Sequence, residues 1–87
     1  MNVIADKKVA KDLKGLPSAV KLKVNKIHKA LTLANTLEGF PGCKKLKGYS
    51  STYRIRIGDY RIGLFYEDNV ISISRVIHRK DIYKGFP

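Results

Sequence analysis

The chain has 87 residues, with 18 Lys and Arg against seven Asp and Glu, and a formal charge of +11. Single domains usually run to about 100–150 residues, so the length excludes two independent domains and any large barrel or dinucleotide-binding enzyme. A 44% apolar content is that of a globular protein, and a single cysteine, Cys43, excludes an internal disulfide framework and a cysteine-based zinc site.

The expected organisation is one domain over residues 1–87. Residues 1–4 are short and partly β-branched, and fit an edge strand. Asp6 is placed to cap a helix carrying Val9, Leu13 and Leu16 on one face, which Gly15 and Pro17 terminate. Pro17 or Ser18 then starts a second helix. Its apolar stripe is Val20, Val24, Ile27, Leu31 and Ala34, with Lys21, Lys23, Lys26 and Lys29 mostly off that stripe. Residues 35–51, rich in Gly, Pro and Ser, read as a loop. Strands are expected at 53–57 and 60–66 around the turn Gly58-Asp59, and at 70–77 after Asp68-Asn69. A bulge near residues 74–76 would explain why Arg75 interrupts the alternation of Ile71, Ile73 and Ile77; the face taken by Arg75 and Arg79 stays open. The ending HRKDIYKGFP has room for one helical turn. The predicted fold class is therefore α+β: an N-terminal strand, then a two-helix hairpin packed on an antiparallel sheet whose last three strands form a meander.

Charge divides unevenly along the chain. Residues 1–48 carry eleven lysines and no arginine against three acids; residues 49–87 carry all five arginines, with Lys80 and Lys84, against four acids. Lysine is a hydrated point charge, suited to long-range attraction to a polyanion, whereas arginine grips a phosphate through a planar fork. A two-residue turn at Gly58-Asp59 would pair Arg56 with Arg61, Ile55 with Ile62 and Arg54 with Gly63. One sheet face would then carry Tyr53, Ile55, Ile57, Tyr60, Ile62, Leu64 and Tyr66, for the helices to cover. The other would carry Arg54, Arg56, Arg61, Gly63 and Phe65. Like charges opposed across a ladder destabilise it, so an anion such as phosphate is expected on that face, unless it is simply a solvated polar surface. Gly63 would leave room for a ligand backbone, and Phe65 a surface for base stacking. His78, Arg79 and Tyr83 add candidates for proton transfer and charge stabilisation. Cys43 has Lys44 and Lys45 beside it, which could lower its pKa, although an inert small residue is the simpler reading. No carboxylate pair or His/Asp/Glu cluster has metal-binding spacing, and no Gly-rich loop precedes a helix, so neither metal nor cofactor is expected.

The segment LKGYSSTYRIRIGDYRIGLFY, followed by VISISRVIHRKDIYKGFP, resembles the RelE/ParE superfamily of type II toxins, and the early LKGLP segment agrees in position. The ending HRKDIY is similar to the RelE branch. The resemblance implies a ribosome-dependent mRNA endonuclease that cuts by 2′-hydroxyl attack without metal and is neutralised by a cognate antitoxin. It places the family's basic strand positions on Arg54, Arg56 and Arg61, the downstream arginine on Arg79 and the C-terminal tyrosine on Tyr83; His78 is a further candidate. Arg61 and Arg79 would stabilise the transition state, Arg54 and Arg56 would place phosphate, and Tyr83 or His78 would handle protons. The implied partners are the antitoxin, mRNA and the ribosome, with the lysine-rich helices docking on ribosomal RNA. The free chain would be a monomer or small oligomer, and a hetero-oligomer with antitoxin. Rival readings are a ParE-like non-enzymatic inhibitor of DNA gyrase and an inactive nucleic-acid-binding relative. No apolar run nears the ~20 residues of a membrane span, and no signal peptide is evident, so a cytoplasmic location is expected.

Overall fold

Alternation of apolar and polar residues in the second half of the chain builds the sheet. In the computed structural model, which describes residues 1–87, the strands are β1 (Asn2–Ala5), β2 (Cys43–Lys45), β3 (Thr52–Ile57), β4 (Tyr60–Glu67) and β5 (Val70–His78). The helices are α1 (Lys7–Lys14), α2 (Ser18–Leu33) and the single turn α3 (Ile82–Gly85). The sheet order is β1-β5-β4-β3-β2. β3, β4 and β5 form the expected antiparallel meander. Two features differ from expectation. A short strand, β2, forms within the Gly/Pro loop by pairing Cys43 with Ile55 and Lys45 with Tyr53. β1 runs parallel to β5, so the sheet is mixed; the two strands are neighbours in space although α1, α2, β2, β3 and β4 all lie between them in the chain.

Turn chemistry sets the register. Gly58 takes a positive φ of 56°, and Asp68 and Asn69 take φ of 51° and 63°. Positive φ at turn centres matches the twist of paired strands, and Gly, Asn and Asp tolerate it best. The result pairs Arg56 with Arg61, Ile55 with Ile62 and Arg54 with Gly63. A bulge falls at Ser74, which the register skips between the pairs Leu64–Ile73 and Gly63–Arg75. Beyond it the faces of β5 exchange. Val76 enters the main core, and Ile77, assigned by simple alternation to that core, turns to the other side.

The side chain of Asp6 accepts a hydrogen bond from the N–H of Lys8 at 2.8 Å and so caps α1. α1 lies against β5, and α2 against β1 and β3. Between helices and sheet sits a core of Val9, Val24, Leu31 and Leu37 with Ile55, Ile57, Ile62, Leu64, Ile71, Ile73 and Val76. Full burial of each such side chain contributes roughly 1.5–3 kcal/mol. A second, smaller cluster of Leu46, Ile82 and Phe86, joined by Ile77, lies on the opposite face of the sheet. No helix is long and apolar enough to cross a membrane.

Candidate functional site

The opposed arginines of the β3–β4 hairpin part from one another. Arg61 Nη1 donates to the carbonyl oxygens of Gly58 and Tyr60, at 2.8 and 2.9 Å, and so folds back on its own turn. Arg56 lies just outside the start of β2, its N–H donating to the Gly42 carbonyl at 3.0 Å. Its side chain lines grooves shared with Lys23, Lys26 and Ile27 of α2. The two side chains diverge, but the charge of Arg56 still acts on Arg61.

Arg54, Arg61 and Arg79 come together with Lys80, Ile82 and Tyr83 around an open cleft of about 380 Å³. Three elements contribute: Arg54 from β3, Arg61 from β4, and the rest from the segment after β5. None of the six lining residues is acidic. The N–H of Arg79 donates to the Asp59 carbonyl at 2.8 Å, tying this segment to the hairpin turn. Its Nε lies 3.8 Å from the Asp59 carboxylate, a loose pair between two exposed side chains that contributes little by itself. Burial, and then the charges of Arg54, Arg56 and Arg79, pull the Arg61 pKa below the ordinary arginine value; Asp59 acts in the opposite sense. Arg61 remains charged at neutral pH, and an anion in the cleft would relieve the crowding.

Other candidates lie elsewhere. Gly63 does not admit a ligand backbone: a Cβ there would stand 2.6 Å from Cγ and Cδ2 of Phe86, whose ring fills the space. Phe65 packs on the same ring, with centroids 5.2 Å apart, and lies outside the cleft beside Ile4 and Ser72. His78 pairs across the ladder with Tyr60 in an edge-to-face contact at 5.4 Å. Its Nδ1 accepts from the Lys80 N–H at 3.1 Å, and it is absent from the cleft wall. Arg75 is bound into the fold: Nε and Nη2 donate to the Asp12 carboxylate at 2.8 and 3.0 Å, and the Val76 N–H donates to Asp12 at 3.0 Å. Burial pushes the Cys43 thiol up to about 11, opposite to the lowering expected from Lys44 and Lys45. Sequence reasoning overlooked Lys80, although its place beside Arg79 in HRKDIY was a usable signal. It also overlooked Asp12, which no local pattern links to Arg75.

A small α+β fold thus presents a cluster of guanidinium groups of which only Arg79 meets a carboxylate, and that loosely. The family model for the ParE toxin of the type II toxin-antitoxin system parDE matches residues 3–83. The chain belongs to that family, within the RelE/ParE superfamily. It is 40% identical over 88 residues to toxin RelE3 of Methanocaldococcus jannaschii, covering 100% of both chains. Among solved structures, the RelB-RelE antitoxin-toxin complex from Methanococcus jannaschii matches with TM-score 0.83 and 38% identity, over 97% of this chain and 99% of that one. The archaeal RelE-RelB complex from Pyrococcus horikoshii OT3 matches with TM-score 0.72 and 29% identity, over 90% and 93%. The chain is a type II toxin of the RelE kind.

Proposed function

We propose that this protein is a metal-independent endoribonuclease that cuts mRNA on the ribosome and is held inactive by a cognate antitoxin. The observation that carries this reading is the convergence of Arg54, Arg61, Arg79 and Tyr83 on one cleft with no acidic residue in its lining, Asp59 making only a loose pair with Arg79. In RNA the nucleophile is supplied by the substrate. The 2′-hydroxyl attacks the adjacent phosphorus, and the bond to the 5′-oxygen breaks. One proton leaves the 2′-oxygen and one reaches the 5′-oxygen. What remains for the protein is to hold the phosphate and stabilise the charge that grows on its oxygens.

Arg61 and Arg79 both line the cleft and take that second role; fixed donors of this kind contribute about 2.7–4 kcal/mol each. Arg61 suits it because the Gly58 and Tyr60 carbonyls already hold one of its nitrogens, so little reordering accompanies reaction. Arg54 places the phosphate, and Lys80 adds charge to the wall. Tyr83 is the one lining side chain that both donates and accepts hydrogen bonds, and it moves a proton. His78, on the Tyr60 side of β5, takes no part. Arg56, with Lys23 and Lys26, attracts flanking RNA backbone or ribosomal RNA. The antitoxin enters by likeness, since the Methanococcus and Pyrococcus relatives were solved as RelB–RelE complexes. A basic toxin of charge +11 calls for an acidic partner segment.

The test is primer-extension mapping of mRNA in a reconstituted translation reaction, with and without ribosomes, alongside a gyrase supercoiling assay. Cleavage that requires ribosomes and disappears in folded Arg61→Ala is expected. Inhibited supercoiling with intact mRNA would replace this reading by that of a gyrase inhibitor.

A further inference from the structure

We infer that Gly63 and Phe86 form a socket-and-plug joint that positions Tyr83 over the arginine cleft. The inference rests on the reading of that cleft as the cutting site, and it adds the means by which the cleft is assembled. Tyr83 is 72% exposed, so packing of its own ring does little to fix it. Its position comes from α3, a four-residue turn too short to stand alone. The residues flanking Tyr83 in that segment supply the anchor. Ile82 and Phe86 are 2% and 1% exposed, packed with Leu46 and Ile77 on the face of the sheet away from α1 and α2.

Gly63 is what lets Phe86 seat. It lies mid-strand in β4, where glycine is destabilising by roughly 0.5–1 kcal/mol relative to alanine. Gly39, Gly42, Gly48 and Gly58 all adopt positive φ, which accounts for glycine at those positions; Gly63 does not. What it offers is space. The bond that a Cβ would occupy points at the Phe86 ring, with three ring carbons within 2.8 Å of that position. Any side chain at residue 63 must expel the ring. A second tie runs from Arg75, whose Nη1 donates to the Gly85 carbonyl at 3.4 Å. Arg75 is itself held by Asp12, so the segment bearing Tyr83 is braced against both β5 and α1. Phe86 and Gly63 are positioning residues: neither lines the cleft, and both act through Tyr83.

A double-mutant cycle on the full chain separates positioning from simple stabilisation. Phe86→Ala should lower kcat for ribosome-dependent cleavage by on the order of 10²-fold, close to the loss in Tyr83→Phe, with KM within about twofold. In a Tyr83→Phe background, Phe86→Ala should cause no further loss, and Phe86→Leu in the native background should restore most activity. Losses that multiply across the cycle, or full activity in Phe86→Ala, would overturn the inference. Amide exchange supplies a readout independent of cleavage. Gly63→Ala should strip protection from Lys84 and Gly85, whose N–H groups donate to the Asp81 carbonyl, while Ile55 and Ile62 stay protected. Unchanged protection at Lys84 and Gly85 would refute the joint. If the native chain cut no RNA, the nuclease reading would fall, and amide exchange alone would decide the socket.

Discussion

Replacing Asp12 by alanine tests how the fold braces its cleft. The Asp12 carboxylate accepts from Arg75 Nε, Arg75 Nη2 and the Val76 N–H. It thereby closes the edge of β5 beyond the end of β1 and ties that edge to α1. Side-chain exposures are 27% for Arg75 and 12% for Asp12, so the pair is mostly out of water. Hydrogen bonds to charged groups contribute about 1.5–3 kcal/mol each, but partial exposure lets water solvate the stranded guanidinium. A net loss of roughly 2–3 kcal/mol follows, from a total of order 4–13 kcal/mol for a chain of this length. That corresponds to a fall in Tm of about 10–20 °C. The loss has a pH signature. Burial alone would raise the Asp12 pKa; the hydrogen bonds from Arg75 and Val76, and the charges of Arg75 and Lys11, outweigh it and hold the carboxyl below its ordinary value of 3.8. With the folded pKa below the unfolded one, the unfolded chain binds more protons in acid. The Asp12 contribution is complete above pH ~4 and is lost as pH falls through the folded value. Urea unfolding of native and Asp12→Ala protein should show a constant gap between pH 5 and 8 that narrows below pH 4. A gap under ~0.5 kcal/mol at pH 7, or one that persists undiminished at pH 2.5, would refute the reasoning.

Ile62→Ala, at a site with no exposure in the main core, should cost about 2–5 kcal/mol in urea unfolding; a loss below 1 kcal/mol would mean the core is looser than described. Arg56→Ala should weaken association with ribosomes while leaving single-turnover cleavage unchanged at saturation, because Arg56 lies outside the cleft; a fall in the saturated rate would return Arg56 to the reaction. Cys43, its pKa pushed up to about 11 by burial, should resist iodoacetamide at pH 8 and react at least tenfold faster in denaturant; equal rates in both states would contradict its burial. Binding of single-stranded RNA should weaken with salt, and Arg61→Ala should lower the slope of log K against log salt by about 0.7. An unaltered slope would show that Arg61 makes no phosphate contact.

Local chemistry made much of this protein readable in one dimension. Period-two alternation and the turns Gly58-Asp59 and Asp68-Asn69 determine the meander, and from them follows the pairing of Arg54 with Gly63 and Arg56 with Arg61. The spacing of Val24 and Leu31 determines which face of α2 is buried. These properties depend on residues a few positions apart, so the chain carries them openly. The site was different. Arg56 does not join Arg54 because it lines grooves with Lys23, Lys26 and Ile27 of α2, residues far from it in the chain. Gly63 read as an opening because nothing near it in the chain announces Phe86, 23 residues on. The face of Arg75 stayed open because its partner, Asp12, lies 63 residues away. His78 and Arg79 are adjacent in the chain, yet one meets Tyr60 and the other enters the cleft, since successive side chains at a strand's end leave on opposite faces. Tertiary packing, which alone brings such distant residues within bonding range, decided which of the candidate residues share a site.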